Sequence, residues 1–210
     1  MKLALISHGP PNDPRHFSGI TWHALEELRR QGHDVEPFHA QPAKWAKKLA
    51  HYKNLWSLKF NRQPHHPEAD AWILRTRSRR VDQQIRAFAP DAVLCLGFPE
   101  AAIALSRRWP LYVWVDAMYP TERRHYAYFR DYYSEQDAQV LPRIEGAVLR
   151  RTRKIWLSSE WACSQQSSAG LKKRQLKNIP ATGVLPPACF CPEARPIPTM
   201  ALQALTLVWF

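Results

Sequence analysis

The sequence predicts an α/β domain with a doubly wound, Rossmann-like parallel sheet and helices on both faces. Short apolar segments alternate with segments in which apolar residues recur every three or four positions, which is the pattern of alternating strands and helices. Two of the apolar segments, residues 91–97 and 111–115, are apolar on both faces, as strands covered on both sides are. With 210 residues and 45% hydrophobic content, the chain is long enough to bury one such core.

The first unit is a strand, a helix and a second strand. Residues 3–6 form a short apolar run, and a loop rich in Gly, Pro, Asn and Asp follows it. Ile20, Ala24 and Leu28 then share one face of a helix over about residues 19–31. Gly32 is placed to end that helix, because glycine adopts the left-handed conformation of a helix C-terminus at little cost. Residues 33–38 are predicted to form the second strand.

Residues 40–76 contain an amphipathic segment whose role stays open. Large apolar side chains at helical spacing alternate there with lysines: Trp45, Leu49, Tyr52, Leu55 and Trp56 with Lys44, Lys47, Lys48 and Lys53. Such a segment either packs on the domain, which is the more frequent outcome, or touches a membrane surface. Residues 63–67 are predicted to form a loop after it.

The remaining elements continue the alternation. We expect, in order, helix 77–88, strand 91–97, a short helix 100–108, strand 111–115, an aromatic-rich segment 119–133, helix 134–151, strand 155–157 and a helix from about residue 160. After residue 171 the pattern weakens, and six prolines fall between Pro180 and Pro198. Residues 201–210 are apolar enough for one more strand. We therefore expect one domain over residues 1–185, and in residues 186–210 a Pro-rich linker with the start of a truncated second domain.

Composition narrows the class of protein. Thirty Lys and Arg against eighteen Asp and Glu give a net charge of +12, which favours nucleic acid, anionic lipid or a phosphorylated substrate as partner, although a solvated basic surface explains it as well. No apolar run approaches the roughly 20 residues of a membrane-spanning helix. The first six residues are too short for a signal-peptide core, and the four cysteines do not form a disulfide framework. We expect a cytoplasmic protein.

Several classes of enzyme are disfavoured by missing motifs. The first loop lacks the G-x-G-x-x-G pattern of dinucleotide-binding domains, and the chain has no P-loop and no G-x-S-x-G nucleophile motif. Histidines are scattered, and Cys189 and Cys191 have no second pair at zinc-ligand spacing. We therefore expect neither a nucleotide cofactor nor a bound metal.

The candidate site follows from the fold, because ligands of such sheets bind at the carboxyl ends of the strands. The loops at that edge are residues 8–18, 97–100, 116–121 and 158–160. Asp116 directly follows strand 111–115, close to Tyr119, so its carboxylate either orients a substrate hydroxyl and accepts its proton or caps the following turn. Gly19 opens the first helix, where its backbone either receives a phosphate or hydroxyl oxygen or only allows close packing.

These segments together resemble the N-terminal half of a retaining glycosyltransferase built from two Rossmann domains (GT-B, family 4-like). The resemblance covers about residues 1–170, and its most specific parts are a G-H-D-V sequence after the first helix and an S-S-x-W-A sequence late in the domain. The residues that carry it are Met1 to Ser7, the helix from Gly19 through Leu28 to Gly32, His33, Asp34 and Val35, Pro90 to Leu94, Trp114 to Ala117, and Ile155 to Ala162.

The resemblance implies transfer of a sugar from a nucleotide-sugar donor to a sugar or lipid-linked acceptor that this half holds. Asp116 stands where many members carry a catalytically important histidine, and Ser18 precedes Gly19 where members usually have two adjacent glycines. On this basis Asp116 is the candidate catalytic residue. The candidate substrate-binding residues are Gly19, Ser18, Tyr119, Ser158 and Glu160.

The same resemblance sets expectations for partners. The donor-binding half, which would clamp the donor diphosphate, is expected to lie beyond this chain, and the chain alone is not expected to transfer sugar. Contact with the inner face of a membrane fits the resemblance, and nucleic acid is not expected. The alternatives are an inert fragment or a non-catalytic basic module. Such a module would bind nucleic acid or anionic lipid through Lys172, Lys173, Arg174 and residues 44–59.

Overall fold

A parallel sheet forms the centre of the molecule, as the sequence predicts. The computed structural model describes residues 1–61, 66–157 and 176–178. Six strands pair in the order β2-β1-β3-β4-β5-β6, and every pairing is parallel. Their bounds are β1 (Lys2–Ser7), β2 (Asp34–His39), β3 (Ala92–Leu96), β4 (Leu111–Val115), β5 (Lys154–Leu157) and β6 (Leu176–Asn178). The prediction of an α/β, Rossmann-like fold is confirmed.

Helices cover both faces of this sheet. They are α1 (Ile20–Arg30), α2 (Lys44–Asn61), α3 (Ala71–Phe88), α4 (Tyr119–His125), α5 (Ala127–Tyr132) and α6 (Glu135–Arg151). Leu3 and Leu5 of β1 face α1, whereas the alternate residues Ala4 and Ile6 face the other side, where α3 and α6 pack. Alternate apolar residues of the strands therefore contribute to two apolar layers, one on each face, and the sheet is doubly wound.

The order of the strands positions a crevice. The chain leaves β1 toward β2 on one side, and β3 pairs with β1 on the other side. Because the loops after β1 and β3 run in opposite directions, the carboxyl ends of these two strands are left open to a ligand. The loops after β1, β3 and β4 all reach this edge.

Two helices differ from the sequence-based expectation. Helix α3 begins at Ala71, six residues before the predicted start, because the side chain of Asp70 accepts hydrogen bonds from the backbone N–H groups of Trp72 and Ile73 at 2.9 and 3.2 Å. The predicted helix 100–108 is wrong. A single 3₁₀ turn, Pro99–Ala102, takes its place.

Side chains of α3 explain why no regular helix forms after that turn. The N–H of Ala104 donates to the Ser78 hydroxyl at 2.8 Å, and the N–H of Ser106 donates to the Asp82 carboxylate at 2.7 Å. Side chains more than twenty residues away therefore bind the N–H groups of Ala104 and Ser106, whereas the N–H groups of Ile103 and Leu105 donate to carbonyls of the segment itself.

Helix α2 confirms the predicted helical spacing and leaves its large apolar side chains in solvent. The buried side of α2 contains small residues, Ala46 and Ala50. The exposed apolar residues of α2 are Trp45, Leu49, Tyr52, Leu55, Trp56, Leu58 and Phe60. The helix packs on the domain through these alanines and through the Trp45 ring, whose centroid lies 5.1 Å from that of the Trp72 ring of α3, whereas most of the apolar stripe is exposed. None of the helices that the structure describes is both long and apolar enough to cross a bilayer.

One observed strand was not predicted, and several predicted elements lie outside the described residues. Strand β6 lies where the sequence pattern had weakened, and three residues are too few to give a periodicity. The helix expected from about residue 160, the linker and the strand expected at 201–210 lie outside the described residues. The division into residues 1–185 and 186–210 stays a prediction.

Candidate functional site

A cavity of about 340 Å³ lies at the carboxyl edge of the sheet, and three of the loops singled out from the sequence line it. His8 follows β1, Gly97 and Glu100 follow β3, and Asp116 and Tyr119 follow β4. Side chains from α3, α4, α5 and α6 close the remaining walls. We call this cavity the acidic cavity, because its lining includes Glu68, Glu100, Asp116, Glu122 and Glu145.

The backbone next to the acidic cavity holds an unfavourable conformation. Phe17 has a φ of 49°, which a residue with a side chain rarely adopts. Gly97 has a φ of 79°, and a Cβ built on it would lie 3.0 Å from Cζ of Phe17. The Phe98 ring in turn lies 4.5 Å from the His8 ring and 6.0 Å from the Phe17 ring, measured between centroids. Strain of this kind persists where the surrounding structure holds it in place, and it is concentrated at functional sites.

Glu145 enters the acidic cavity from the buried face of α6. Its side chain is 4% exposed, and both carboxylate oxygens lie 3.2 Å from the backbone nitrogen of Tyr119, which donates to them. That N–H opens α4 and has no partner within its own helix, so Glu145 satisfies it. Burial and the neighbouring charge of Glu100 raise the pKa of Glu145 well above its usual value.

Two further carboxyl groups of the cavity hold their protons more tightly than usual. Burial, followed by the charges of Glu100 and Asp116, raises the pKa of Glu122 to about 7. Burial also raises the pKa of Glu100. A carboxyl group that titrates near neutral pH can both give and take a proton under physiological conditions, which is the property required of a general acid or base.

A second cavity, of about 550 Å³, opens beside the first. His8, Glu68 and Arg77 line both cavities. The second cavity has a basic character, because its other ionisable lining residues are His16, His39, Lys47 and His51. We call it the basic cavity. Burial, followed by the charge of Arg77, lowers the pKa of His8 to about 4, so this ring is uncharged at neutral pH.

The structure brings together some of the predicted site residues and separates others. Asp116 and Tyr119 both line the acidic cavity. Gly19 is not among the described residues that line either cavity, and Ser18 and Gly19 lie in the 3₁₀ turn that precedes α1. Ser158 and Glu160 lie outside the described residues. Roles in catalysis or binding stay predictions for all of these residues.

Gly19 has a structural reason to be glycine. Its φ is 75°, and a Cβ at this position would lie 3.1 Å from the carbonyl oxygen of Pro14. A side chain would therefore be strained by its backbone conformation and crowded by the loop. This geometry supports the packing role that the sequence left open beside ligand binding.

Sequence reasoning missed Arg77, Glu122 and Glu145. Two of them carried a signal: Arg77 lies four residues from Ile73 and from Val81, and Glu145 lies four residues after Leu141. A charged residue on the apolar stripe of a helix is directed to the interior, where it needs a function or a partner. Glu122 lies in the aromatic-rich segment, where no periodicity marked it.

The described residues contain no group of three or more His, Cys, Asp or Glu side chains that could hold a metal ion. The carboxyl groups of the acidic cavity can accept hydrogen bonds, and in their protonated form they can also donate them.

Comparison with known proteins supports the fold. No protein-family model matches the sequence, and no curated protein matches it significantly. Among solved structures, a UDP-N-acetylglucosamine 2-epimerase from Rickettsia bellii is similar over 85% of this chain, with 17% identity and a TM-score of 0.51. A UDP-GlcNAc 2-epimerase from Neisseria meningitidis bound to UDP-GlcNAc is similar over 84% of this chain, with 14% identity and a TM-score of 0.47.

The chain spans less than half of these neighbours, covering 44% and 45% of their respective lengths. At such low identity the likeness concerns the fold alone. The Rossmann-like domain of this chain is therefore similar to part of an enzyme whose name identifies a nucleotide sugar as its substrate.

Proposed function

We propose that this chain is the acceptor-binding half of a nucleotide-sugar glycosyltransferase. The acidic cavity would hold a sugar acceptor, and Asp116 would orient its reacting hydroxyl. The observation that carries this proposal is the position of Asp116, which directly follows β4 and lines a cavity with Glu100, Glu122 and Glu145.

The lining of the acidic cavity fits a polyhydroxyl ligand. Carboxylate oxygens accept hydrogen bonds from sugar hydroxyls, and protonated carboxyl groups also donate. Phe98, Tyr128 and Tyr133 add apolar ring surface next to these polar groups. The volume lies at the small end of the range of about 300–1,000 Å³ that is typical of ligand pockets, which favours one or two sugar units over a long polymer.

The similarity in fold supports a nucleotide sugar as the donor in the proposed enzyme. The Rickettsia neighbour with the similar Rossmann-like domain is named as an enzyme of a UDP-sugar, and this chain spans 44% of it. In the proposed enzyme, groups outside the described residues would clamp the donor diphosphate electrostatically. Sugar binding is therefore the step for which this chain can be tested by itself.

Ligand-observed NMR with a panel of neutral mono- and disaccharides tests the proposal. We expect the 210-residue chain to bind at least one of them and Asp116→Asn to weaken that binding several-fold, because the carboxylate no longer accepts two hydroxyl protons. Asp34→Asn is the matched control, since Asp34 is exposed at the amino end of β2. Binding that is unaffected by Asp116→Asn, or no binding at all, would contradict the proposal.

A specific observation also favours peripheral contact with an anionic membrane. Helix α2 contains five lysines and no Asp or Glu, and its aromatic side chains point to solvent, with Trp56 67% exposed. Aromatic rings with flanking lysines are the composition of helices that lie in the headgroup region of a bilayer. We propose that α2 brings the enzyme to a lipid-linked acceptor.

Vesicle co-sedimentation tests this contact. The chain should bind vesicles that contain phosphatidylglycerol, and Trp56→Ser should weaken binding several-fold because the aromatic ring no longer enters the interface. Tyr126→Ser removes an exposed aromatic side chain outside α2 and should have little effect. Equal losses for both variants would refute a specific role for α2.

A further inference from the structure

Arg77 is a buried cation without a protein partner among the described residues. It lies in the middle of α3 and is 9% exposed. Its Nε atom is buried without a hydrogen bond, and no described carboxylate forms an ion pair with its guanidinium. The charge of Glu68 acts on Arg77 without forming an ion pair, and burial lowers the pKa of the guanidinium, which nevertheless stays charged.

An unpaired buried guanidinium costs stability. Removing an ion from water is unfavourable, and only a close counter-charge with good hydrogen-bond geometry repays it. Arg77 occupies an apolar-stripe position, where Ile73 and Val81 show that an aliphatic side chain would pack. Folding alone therefore gives no reason for an arginine at this position.

The groups around Arg77 are suited to an anion. Arg77 lines the basic cavity with His8, His16, His39 and His51, and Lys47 adds a second fixed positive charge. Among the described residues that line this cavity, Glu68 is the single carboxylate. Arg and Lys side chains together with imidazole N–H groups are the usual donors to phosphate oxygens, and the planar fork of arginine can donate two parallel bonds to one phosphate.

The two cavities share a boundary. Arg77, His8 and Glu68 line both of them, so a ligand can extend from the carboxyl groups of the acidic cavity to the cations of the basic cavity. A neutral sugar would use the first set of groups only.

From this arrangement we infer that the basic cavity binds a phosphate group carried by the acceptor, and that Arg77 is its principal ligand. The inference rests on the proposed function for the sugar, because the acidic cavity would hold the sugar to which that phosphate is attached. The phosphate belongs either to a soluble sugar phosphate or to the headgroup of a lipid-linked acceptor.

Isothermal titration calorimetry with inorganic phosphate and with glucose 1-phosphate tests the site. Both should bind the 210-residue chain in 150 mM chloride, and Arg77→Met should weaken binding at least tenfold. Arg79→Met is the matched control on the same helix, because Arg79 is exposed. Arg79→Met should bind phosphate as the wild type does.

Thermal unfolding separates a ligand role from a structural role. Because methionine fills a similar volume without a buried charge, Arg77→Met should be as stable as the wild type or more stable in phosphate-free buffer. Phosphate should raise the melting temperature of the wild type and leave that of the variant unchanged. A wild-type melting temperature that phosphate does not raise, or an Arg77→Met melting temperature that phosphate raises equally, would overturn the inference.

Amide NMR of the wild type gives an independent reading if the variant does not fold. Inorganic phosphate should shift the amide signals of Gly9 and Gln41, which line the basic cavity. Absence of phosphate binding, shifts confined to other regions, or equal losses for Arg77→Met and Arg79→Met would each overturn the inference.

A second set of binding experiments distinguishes a soluble sugar phosphate from a lipid headgroup as the source of the phosphate. If the ligand is soluble, glucose 1-phosphate should bind more tightly than inorganic phosphate, and Arg77→Met should leave vesicle binding unchanged. If it is a lipid headgroup, vesicles of phosphatidylcholine with phosphatidic acid should bind the wild type more tightly than Arg77→Met. Phosphate binding without binding of any sugar would contradict the proposed function and leave the phosphate site intact.

Discussion

The stability of the protein should depend on pH through Glu122, and the variant Glu122→Gln isolates this dependence. The pKa of Glu122 is raised to about 7 in the folded protein from a usual value of 4.5, chiefly by burial. A raised pKa means that the folded protein binds a proton more tightly than the unfolded chain does. The contribution of Glu122 to stability is therefore full below pH 4.5 and is lost as the pH rises through about 7.

The magnitude follows from the two pKa values. At about 1.4 kcal/mol per pH unit, a change from 4.5 to about 7 corresponds to roughly 3 kcal/mol of unfolding free energy. His8 acts in the opposite direction, because its pKa is lowered from 6.5 to about 4, so its contribution is lost as the pH falls through that range. The two effects oppose each other in the wild type, and the difference between wild type and variant at each pH is the informative quantity.

Urea denaturation at pH 5, 6, 7 and 8 measures this difference. Relative to the wild type, Glu122→Gln should gain roughly 2.5 kcal/mol between pH 5 and pH 8, because glutamine cannot ionise. Glu36→Gln, at an exposed position of β2, is the matched control for replacing a glutamate by glutamine. A difference between Glu122→Gln and the wild type that does not change with pH would refute the burial of a proton-holding carboxyl group in the acidic cavity.

Three further predictions follow from local geometry. Gly97→Ala should lower the unfolding free energy, measured by urea denaturation, by about 1–3 kcal/mol, because the backbone there is left-handed and the added Cβ would meet the Phe17 ring. An unchanged unfolding free energy would contradict this strain. Asp70→Ala should lower the unfolding free energy by about 1 kcal/mol, because the N-cap of α3 is lost. Asp70→Asn keeps most of the capping ability, so equal losses for the two variants would refute the cap. In a protein that joins residues 1–185 to a donor-binding domain, Asp116→Asn should lower sugar turnover by roughly 10²-fold, because a positioned acid–base group is lost. Nearly intact turnover would indicate that Asp116 only caps a turn.

Local sequence patterns predicted the elements whose structure is determined by residues that are neighbours in the sequence. The alternation of strands and helices, the apolar strands β3 and β4, and the end of α1 before Gly32 all follow from periodicity or from backbone preference. Residues 100–108 were predicted wrongly because Ser78 and Asp82, distant in sequence, fix their backbone. No local pattern contains that information.

Sequence reasoning likewise found the residues of the candidate site that lie on strand-end loops and missed those that lie on helices. The strand-end rule identified the loops that carry His8, Gly97, Glu100 and Asp116, because it depends on topology alone. Arg77 and Glu145 come from the middle of helices, and their role depends on which helix face meets the cavity. For α2, spacing predicted the helix but could not show that the small residues would pack and leave the aromatic residues exposed.

An amide NMR titration of the chain with the tightest-binding neutral sugar tests the central claim, that the acidic cavity is the sugar site. We expect the largest shifts at the amides of Gly97, Glu100, Asp116 and Tyr119, which line this cavity, and small shifts at the exposed amides of α2. Shifts concentrated on α2, or a sugar that binds without perturbing the loops after β3 and β4, would contradict the claim.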